Sequence, residues 1–575
     1  MWLYPALLLV ANVALCFTEH YSGASCAANV FLPGGVFLLI CASSRNVGRT
    51  VLLCLPLSIY AAFQIVLLFL YGESLIAIDM FLNVVTTNPA EVNELLGNLG
   101  RAILTVVIIY VPPIAWAVWL LCTHRDVPRR ALRTARRTGA ALAAAGVLAT
   151  IAAYATIPGY TVRRQLFPLN VMDNTVQAVV RFHATRDYPK TSRDFTYHAQ
   201  STRPDSLQEV YILVIGETCR ADNWQLLGYG RPTNPRLAQR SDIIAFSHVL
   251  SESNTTHKSV PLLLSPLTAE TFGDSIYTVK SIFRAFREAG FATAFFSNQR
   301  RNHSFIDFFG EQADTCLFIS DTPGALRSDS ALVPMARNFI RTNAGRKIFV
   351  VLHTYGSHFN YRDRYTDSHR RFVPDDNTSA SRGNRDQLVN AYDNTIVSTD
   401  AMLADLIESL DAQGNSVPAA MLFIPDHGED IFDDDRERFL HASPAPTYWQ
   451  IHVPLLIWTS SYHRSAYPTL TATASANSGR QISSSRTVFD TMLSLAGIRT
   501  PEARAYRALT DSSYREEPRM YLNDYNEGLP LSQSGLHDED AEMFVRKNIS
   551  AEWHNLFFSF SSTEYFGKFS KIICI

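Results

Sequence analysis

Charge is what this sequence has least of. Only 18% of its 575 residues are charged, against 47% hydrophobic, and the formal net charge is -2. Without a basic excess there is no electrostatic footprint for nucleic acid, so a nucleic-acid partner is excluded. So apolar a composition points to a membrane contribution rather than an ordinary soluble enzyme. Cysteine is sparse too. The eight cysteines form no CxxC or zinc-finger spacing, which argues against a cysteine metal site. Cys16, Cys41, Cys54 and Cys122 lie in or beside apolar segments and read as small packing residues. Cys26, Cys219, Cys316 and Cys574 lie outside them, and a Cys316–Cys574 disulfide is left open. The first apolar segment lacks a basic lead-in and a cleavage site, so it is expected to be a retained span rather than a signal peptide.

What is present is unevenly spread. Five apolar segments precede the soluble part: Trp2–Phe17, Val30–Ala42, Val51–Tyr71, Ala102–Cys122 and Gly139–Pro158. A span needs about 20 residues; the second segment is short and contains Pro33, Gly34 and Gly35. Arg45 and Arg49 lie in one loop, and Arg125, Arg129, Arg130, Arg133, Arg136 and Arg137 in another. The alternate loops are neutral or acidic, so charge bias puts the N-terminus in the cytoplasm and everything after Pro158 outside, in a bacterium the periplasm. The expected parts are a transmembrane domain at 1–158 with an interfacial loop at 72–101, a connector at 159–208 holding one helix near Val171–Phe182, and a catalytic domain at 209–575. Within the interfacial loop, Asn83, Thr87 and Glu91 fall four apart, on one face of a continuous helix.

From Glu209 onward strand-like and helix-like runs alternate, which implies an α/β domain with a largely parallel sheet. Phe291–Phe296 and Val453–Ser460 read as strands, Thr278–Ala289 and Gln387–Leu410 as helices. Three apolar runs end on metal-ligand chemistry. Tyr211–Ile215 leads to Glu217, Ile348–Leu352 to His353 and His358, and Ala419–Pro425 to Asp426, His427 and Glu429. Each residue alone is no more than a cap or a hydrogen-bonded histidine. Ligands in α/β sheets collect at the carboxyl ends of strands, and one metal-centred site there explains all three. Glu217, Asp426 and His427 leave a tetrahedral zinc one ligand short. Thr255, Thr256 and Ser259 stand just ahead of an apolar run. A threonine oxygen on the metal would lose its proton and become a nucleophile, and the helix start behind it would favour phosphate.

The motifs resemble those of the membrane-anchored phosphoethanolamine transferases of the alkaline-phosphatase superfamily, which include the lipid A modifying enzymes behind polymyxin resistance. GET-x-R-x-x-N stands at Gly216–Asn223 and GYGR-x-TNP at Gly228–Pro235. T-x-x-SVP stands at Thr256–Pro261, GSH at Gly356–His358, DHGE at Asp426–Glu429 and LH at Leu440–His441. N-x-x-x-T-x-x-x-E stands at Asn83, Thr87 and Glu91. The resemblance implies a five-helix transmembrane domain followed by an alkaline-phosphatase-like (sulfatase-like) periplasmic domain. It implies one or two zinc ions, with Glu217, Thr256, Asp426 and His427 as ligands and Thr256 as nucleophile. His358, His441 and Glu429 would bind the phosphoryl group or a second zinc, with His441 protonating the leaving group. Asn83, Thr87 and Glu91 would contact the donor lipid. The implied reaction moves phosphoethanolamine from phosphatidylethanolamine to Thr256 and then to an envelope glycolipid, lipid A or lipopolysaccharide core, at the inner membrane.

Two departures stand out. The lipid A enzymes carry cysteines flanking the nucleophile loop where this chain has Glu252 and Leu262, so packing is expected to hold the loop. Ser297–Arg301 looks more like the branch that modifies core sugars. Among rivals, a glycerol-phosphate polymerase of the lipoteichoic type is disfavoured by the GYGR-x-TNP and T-x-x-SVP strings. A sulfatase activity is disfavoured because Ser259–Leu263 lacks the arginine of C/S-x-P-x-R. An inactive scaffold is disfavoured by the intact ligand set.

Overall fold

The computed structural model describes residues 1–19, 21–72, 75–81, 99–157, 159–321, 328–412 and 417–551. Asn83, Thr87, Glu91 and Cys574 lie outside the described residues. The N-terminal half holds α1 (Leu3–Thr18), α2 (Gly23–Cys41), α3 (Val47–Leu53), α4 (Leu55–Tyr71), α5 (Gly100–Cys122) and α6 (Arg129–Thr156). Among the described residues α2, α5 and α6 are long and apolar enough to cross a membrane, and the pair α3–α4, bent by 56°, makes a fourth span if counted as one. The 16 residues of α1 stop short of that length.

Three expectations are corrected here. Helix α2 is not short but runs through Pro33 for 19 residues, its start capped by the Ser22 side chain. Proline removes the N–H that would bond residue 29. The orphaned Asn29 carbonyl instead accepts a hydrogen bond from Asn12 Nδ2 at 2.8 Å, which is how a membrane helix tolerates proline. The third segment breaks at Cys54, because Pro56 sits at the start of α4 and cannot continue the helix before it. The arginines from Arg129 to Arg137 are not in a loop but form the first turns of α6. Arg136 Nε donates to the Ala42 carbonyl at the end of α2, at 2.9 Å. Helices α2 and α6 approach backbone to backbone, since a Cβ on Gly35 would lie 2.3 Å from the Ala143 nitrogen; small residues permit such contacts in membranes.

The connector holds α7 (Leu169–Thr191), longer at both ends than expected. The C-terminal half is built on a seven-stranded sheet: β1 (Glu209–Gly216), β2 (Ile243–Phe246), β3 (Ala292–Ser297), β4 (Thr315–Phe318), β5 (Lys347–His353), β6 (Ala419–Pro425) and β7 (Leu455–Thr459). Their order is β2-β7-β6-β1-β5-β3-β4. Strands β6, β1, β5, β3 and β4 run parallel. Strand β7 is antiparallel to both its neighbours, so the sheet is mixed rather than wholly parallel. All of β1 is buried, as expected for a strand covered on both faces. Its residues alternate between two cores. Tyr211, Leu213 and Ile215 face one core with α8 (Thr256–Leu263) and α9 (Ser484–Leu495). Val210, Ile212 and Val214 face another with the long helix Arg385–Asp411.

Candidate active site

Register decides which side chains meet. Ile215 of β1 lies opposite His353 of β5, and Gly216 opposite Pro425 of β6. The strands therefore end together, and Glu217, the loop 354–358 and Asp426–Glu429 emerge at one sheet edge. Ser297 of β3 is aligned with His353, which brings Gln299 to the same edge. Gly356 makes the crossing tight. It has φ 53°, and a Cβ there would lie 2.6 Å from the Glu217 carbonyl oxygen, so only glycine fits.

The first residue of α8 is Thr256. Its hydroxyl lies 3.1 Å from Glu217 Oε1, to which it donates, and 3.1 Å from His427 Nε2. The other two hydroxyls of this stretch turn elsewhere: Thr255 and Ser259 both bond to Ser253, at 3.1 Å each. His427 Nε2 is 3.2 Å from Asp426 Oδ2 and 3.6 Å from Glu217 Oε1. Because His427 Nδ1 is hydrogen-bonded to the Gly428 carbonyl at 2.9 Å, it carries the hydrogen and Nε2 presents a lone pair. Asp426 Oδ1 accepts from the Thr218 and His427 amides at 3.1 and 2.8 Å. Its Oδ2 is buried without a hydrogen-bond partner.

The electrostatics call for a cation. Burial, reinforced by the Asp426 charge, pushes the Glu217 carboxyl up to about 8, and burial pushes Asp426 up to about 7. Burial holds His427 well below its ordinary range. Two buried carboxyls and a neutral imidazole are costly unless a metal compensates them. Ligand atoms bonded at about 2.0–2.2 Å to a tetrahedral zinc lie about 3.4 Å apart; the four separations above, 3.1–3.6 Å, match that spacing. The donor set of two carboxylates, one imidazole and one hydroxyl thus fits zinc.

Beside this cluster, the His441 ring is 4.3 Å from that of His427 and 5.8 Å from that of His358. Ligand atoms of Glu217, His427 and His441 all fall within 4.8 Å of one another, so His441 borders the same centre. Glu429 is buried, its Oε1 3.7 Å from His441 Nδ1. Burial lowers His358 to about 3, and its Nδ1 is bonded to the Phe359 carbonyl at 2.6 Å, so its Nε2 also offers a lone pair.

Several supports were missed in sequence. Gln299 Nε2 donates to Glu217 Oε2 at 2.7 Å and to the Thr354 carbonyl at 3.0 Å; the end of the preceding strand-like run was the available signal. Asp329 accepts from the Tyr355 and Gly356 amides at 2.8 and 2.9 Å, holding the GSH loop. The nucleophile loop is not held by packing alone, which corrects the expectation. Buried Glu252 pairs with buried Arg486 at 2.7 Å and accepts from the Ala269 amide at 3.0 Å. Tyr229 and Arg231 of GYGR-x-TNP, with Asn223 at the end of GET-x-R-x-x-N, converge on Asp393 of the long helix, at 3.0, 2.9 and 2.6 Å.

The sulfatase family matches residues 209–498, and the family described as phosphoethanolamine transferase EptA/EptB matches 35–181. Phosphoethanolamine transferase EptA of Salmonella typhimurium is 30% identical over 299 residues, 50% of this chain and 53% of that protein; the chain thus aligns with about half the length of this relative. The integral membrane protein lipooligosaccharide phosphoethanolamine transferase A from Neisseria meningitidis shares the fold, with TM-score 0.69 and 21% identity over 88% of this chain and 97% of that one. So does the C-terminal periplasmic domain of EptC from Escherichia coli in complex with Zn, with TM-score 0.53 and 22% identity over 60% of this chain and 98% of that one. The chain belongs to the sulfatase family, and its matches to the EptA/EptB family and to EptA put it with the phosphoethanolamine transferases of the alkaline-phosphatase/sulfatase superfamily.

Proposed function

We propose that this protein transfers phosphoethanolamine from phosphatidylethanolamine to an envelope glycolipid through a covalent intermediate on Thr256. One observation carries the reading: a single hydroxyl, at a helix N-terminus, lies 3.1 Å from both a buried carboxylate and a histidine lone pair. Glu217, Asp426, His427 and Thr256 would hold zinc. When bound, the metal supplies Lewis acidity that lowers the hydroxyl pKa and offsets charge on the phosphoryl oxygens.

Thr256 gives up its hydroxyl proton, its Oγ1 attacks phosphorus, and the diacylglycerol oxygen leaves, taking a proton. His358 presents a lone pair rather than an N–H, which assigns proton delivery to His441. The N-terminus of α8 stabilises the phosphoryl group. In the second half the acceptor hydroxyl gives up its proton, attacks the same phosphorus and restores the Thr256 hydroxyl. Glu429, His358 and His441 form the outer set that receives the phosphoryl group or a second zinc. Asn83, Thr87 and Glu91 are assigned to the donor lipid. The loop charges support a multi-pass inner-membrane protein of five spans, α1 included, with the catalytic half in the periplasm.

The test is intact-mass analysis of the zinc-loaded enzyme given donor without acceptor. A phosphoethanolamine adduct on the peptide containing Thr256 is expected. An adduct on another peptide, or none together with unchanged donor, overturns the reading.

A further inference from the structure

Four segments far apart in sequence bring charged side chains to one buried point. Asp79 comes from the membrane half, Arg181 from α7, Lys258 from the second turn-position after Thr256 in α8, and Asp524 from the C-terminal part. Their side chains are 3%, 16%, 2% and 10% exposed. Asp79 pairs directly with Lys258 and lies 3.3 Å from Arg181; Lys258 lies 3.8 Å from Asp524. Lys258 Nζ also donates to the Asn523 carbonyl and Arg181 to the Tyr525 carbonyl. His257 also faces Asp79, at 3.7 Å, and burial pushes the Asp524 carboxyl up to about 7. Buried lysine is rare and a buried pair is no more stabilising than apolar packing of the same volume, so its best-attested use is to set register.

The segment carrying Asp79 is itself held from both sides. The Ile76 amide donates to Gln64 of α4 at 3.1 Å, and its carbonyl accepts from Asn174 of α7 at 2.8 Å. Asp79 thus links a fixed point on the membrane helices to a residue two positions from the nucleophile. We infer that Asp79 and Lys258 are a positioning pair that sets the height of Thr256 above the membrane, so that it meets the phosphorus of a lipid still anchored in the bilayer. The inference rests on Thr256 being the nucleophile. A donor in a bilayer holds its phosphorus at a fixed depth, whereas a dissolved donor can adjust to a displaced hydroxyl. Misplacement by about 1 Å costs on the order of 100-fold in rate.

The test compares wild type with Asp79→Asn/Lys258→Met, which removes both charges and leaves neither buried alone. The rate of Thr256 adduct formation is followed in proteoliposomes containing long-chain phosphatidylethanolamine, and in detergent with a short-chain phosphatidylethanolamine kept below its micelle concentration. The variant is expected to lose on the order of 100-fold with the bilayer donor and to stay within about threefold of wild type with the soluble one, a difference of under 1 kcal/mol. Lys258→Arg, which keeps the pair, is expected to retain most bilayer activity. Equal loss with both donors, or no loss with the bilayer donor, overturns the inference. Absence of any Thr256 adduct in wild type would instead overturn the proposed function itself.

Discussion

The two halves of this molecule hold together by opposite means. In the membrane half the large apolar side chains of α5 and α6, such as Leu104, Ile108, Leu148 and Ile151, face outward. Helices α2 and α6 meet through small residues such as Gly35, Asn12 bonds the Asn29 carbonyl, and large side chains such as Leu8, Phe37 and Ile65 pack between the other helices. In the catalytic half the apolar residues are inside, on both faces of the sheet. Buried polar and charged groups gather instead at the strand ends, where Arg220 pairs with Asp433 at 2.6 Å and donates to the Glu429 carbonyl at 3.1 Å. Lipid supplies no hydrophobic drive between helices, so close approach and satisfied backbone groups must serve. Water supplies that drive to the sheet, and the polar energy is freed to shape a site.

The largest expected effect is chemical and confined to the catalytic half. Thr256→Ala should lower transfer on the order of 1,000-fold or more, while metal analysis still finds zinc held by Glu217, Asp426 and His427. Retained activity would mean another nucleophile. Next, a zinc chelator should abolish transfer and added zinc restore it, with the α-helical circular dichroism of the membrane helices unchanged. Loss of that signal would show that the halves are not separable in this way.

Stability sharpens the contrast further. Arg220 and Asp433 are 4% and 2% exposed; Arg220→Met removes one of the two arginines on Asp433, leaving Arg385 at 3.0 Å, and should cost about 1.5–3 kcal/mol, read as a lower Tm. Asn12→Leu removes the bond to the Asn29 carbonyl in the membrane half and should cost about 1 kcal/mol. If the Asn12 variant proved as costly as the Arg220 variant, the proposed difference between the halves would fail.

How much of this was legible follows the same division. An apolar run ending in Glu217 or in Asp426-His427 is a local pattern, and parallel register converts three such patterns into one site. The limits of α2 and the break at Cys54 were not legible, because they depend on which neighbour satisfies a backbone carbonyl left by proline.

The sequence alone therefore determined the alternation that makes the sheet, the strand-end residues that make the cluster, and the hydroxyl ahead of a helix. Those are short-range properties, set by periodicity and chain order. The T-x-x-SVP resemblance singled out Thr256, but only the tertiary structure showed its hydroxyl against Glu217 and His427 while Thr255 and Ser259 turn to Ser253. It alone showed that Gln299 steadies Glu217, that Glu252 pairs with Arg486, and that Asp79 reaches Lys258. Each of these contacts joins residues dozens to hundreds of positions apart, and which charges end up together in the interior depends on how the elements pack.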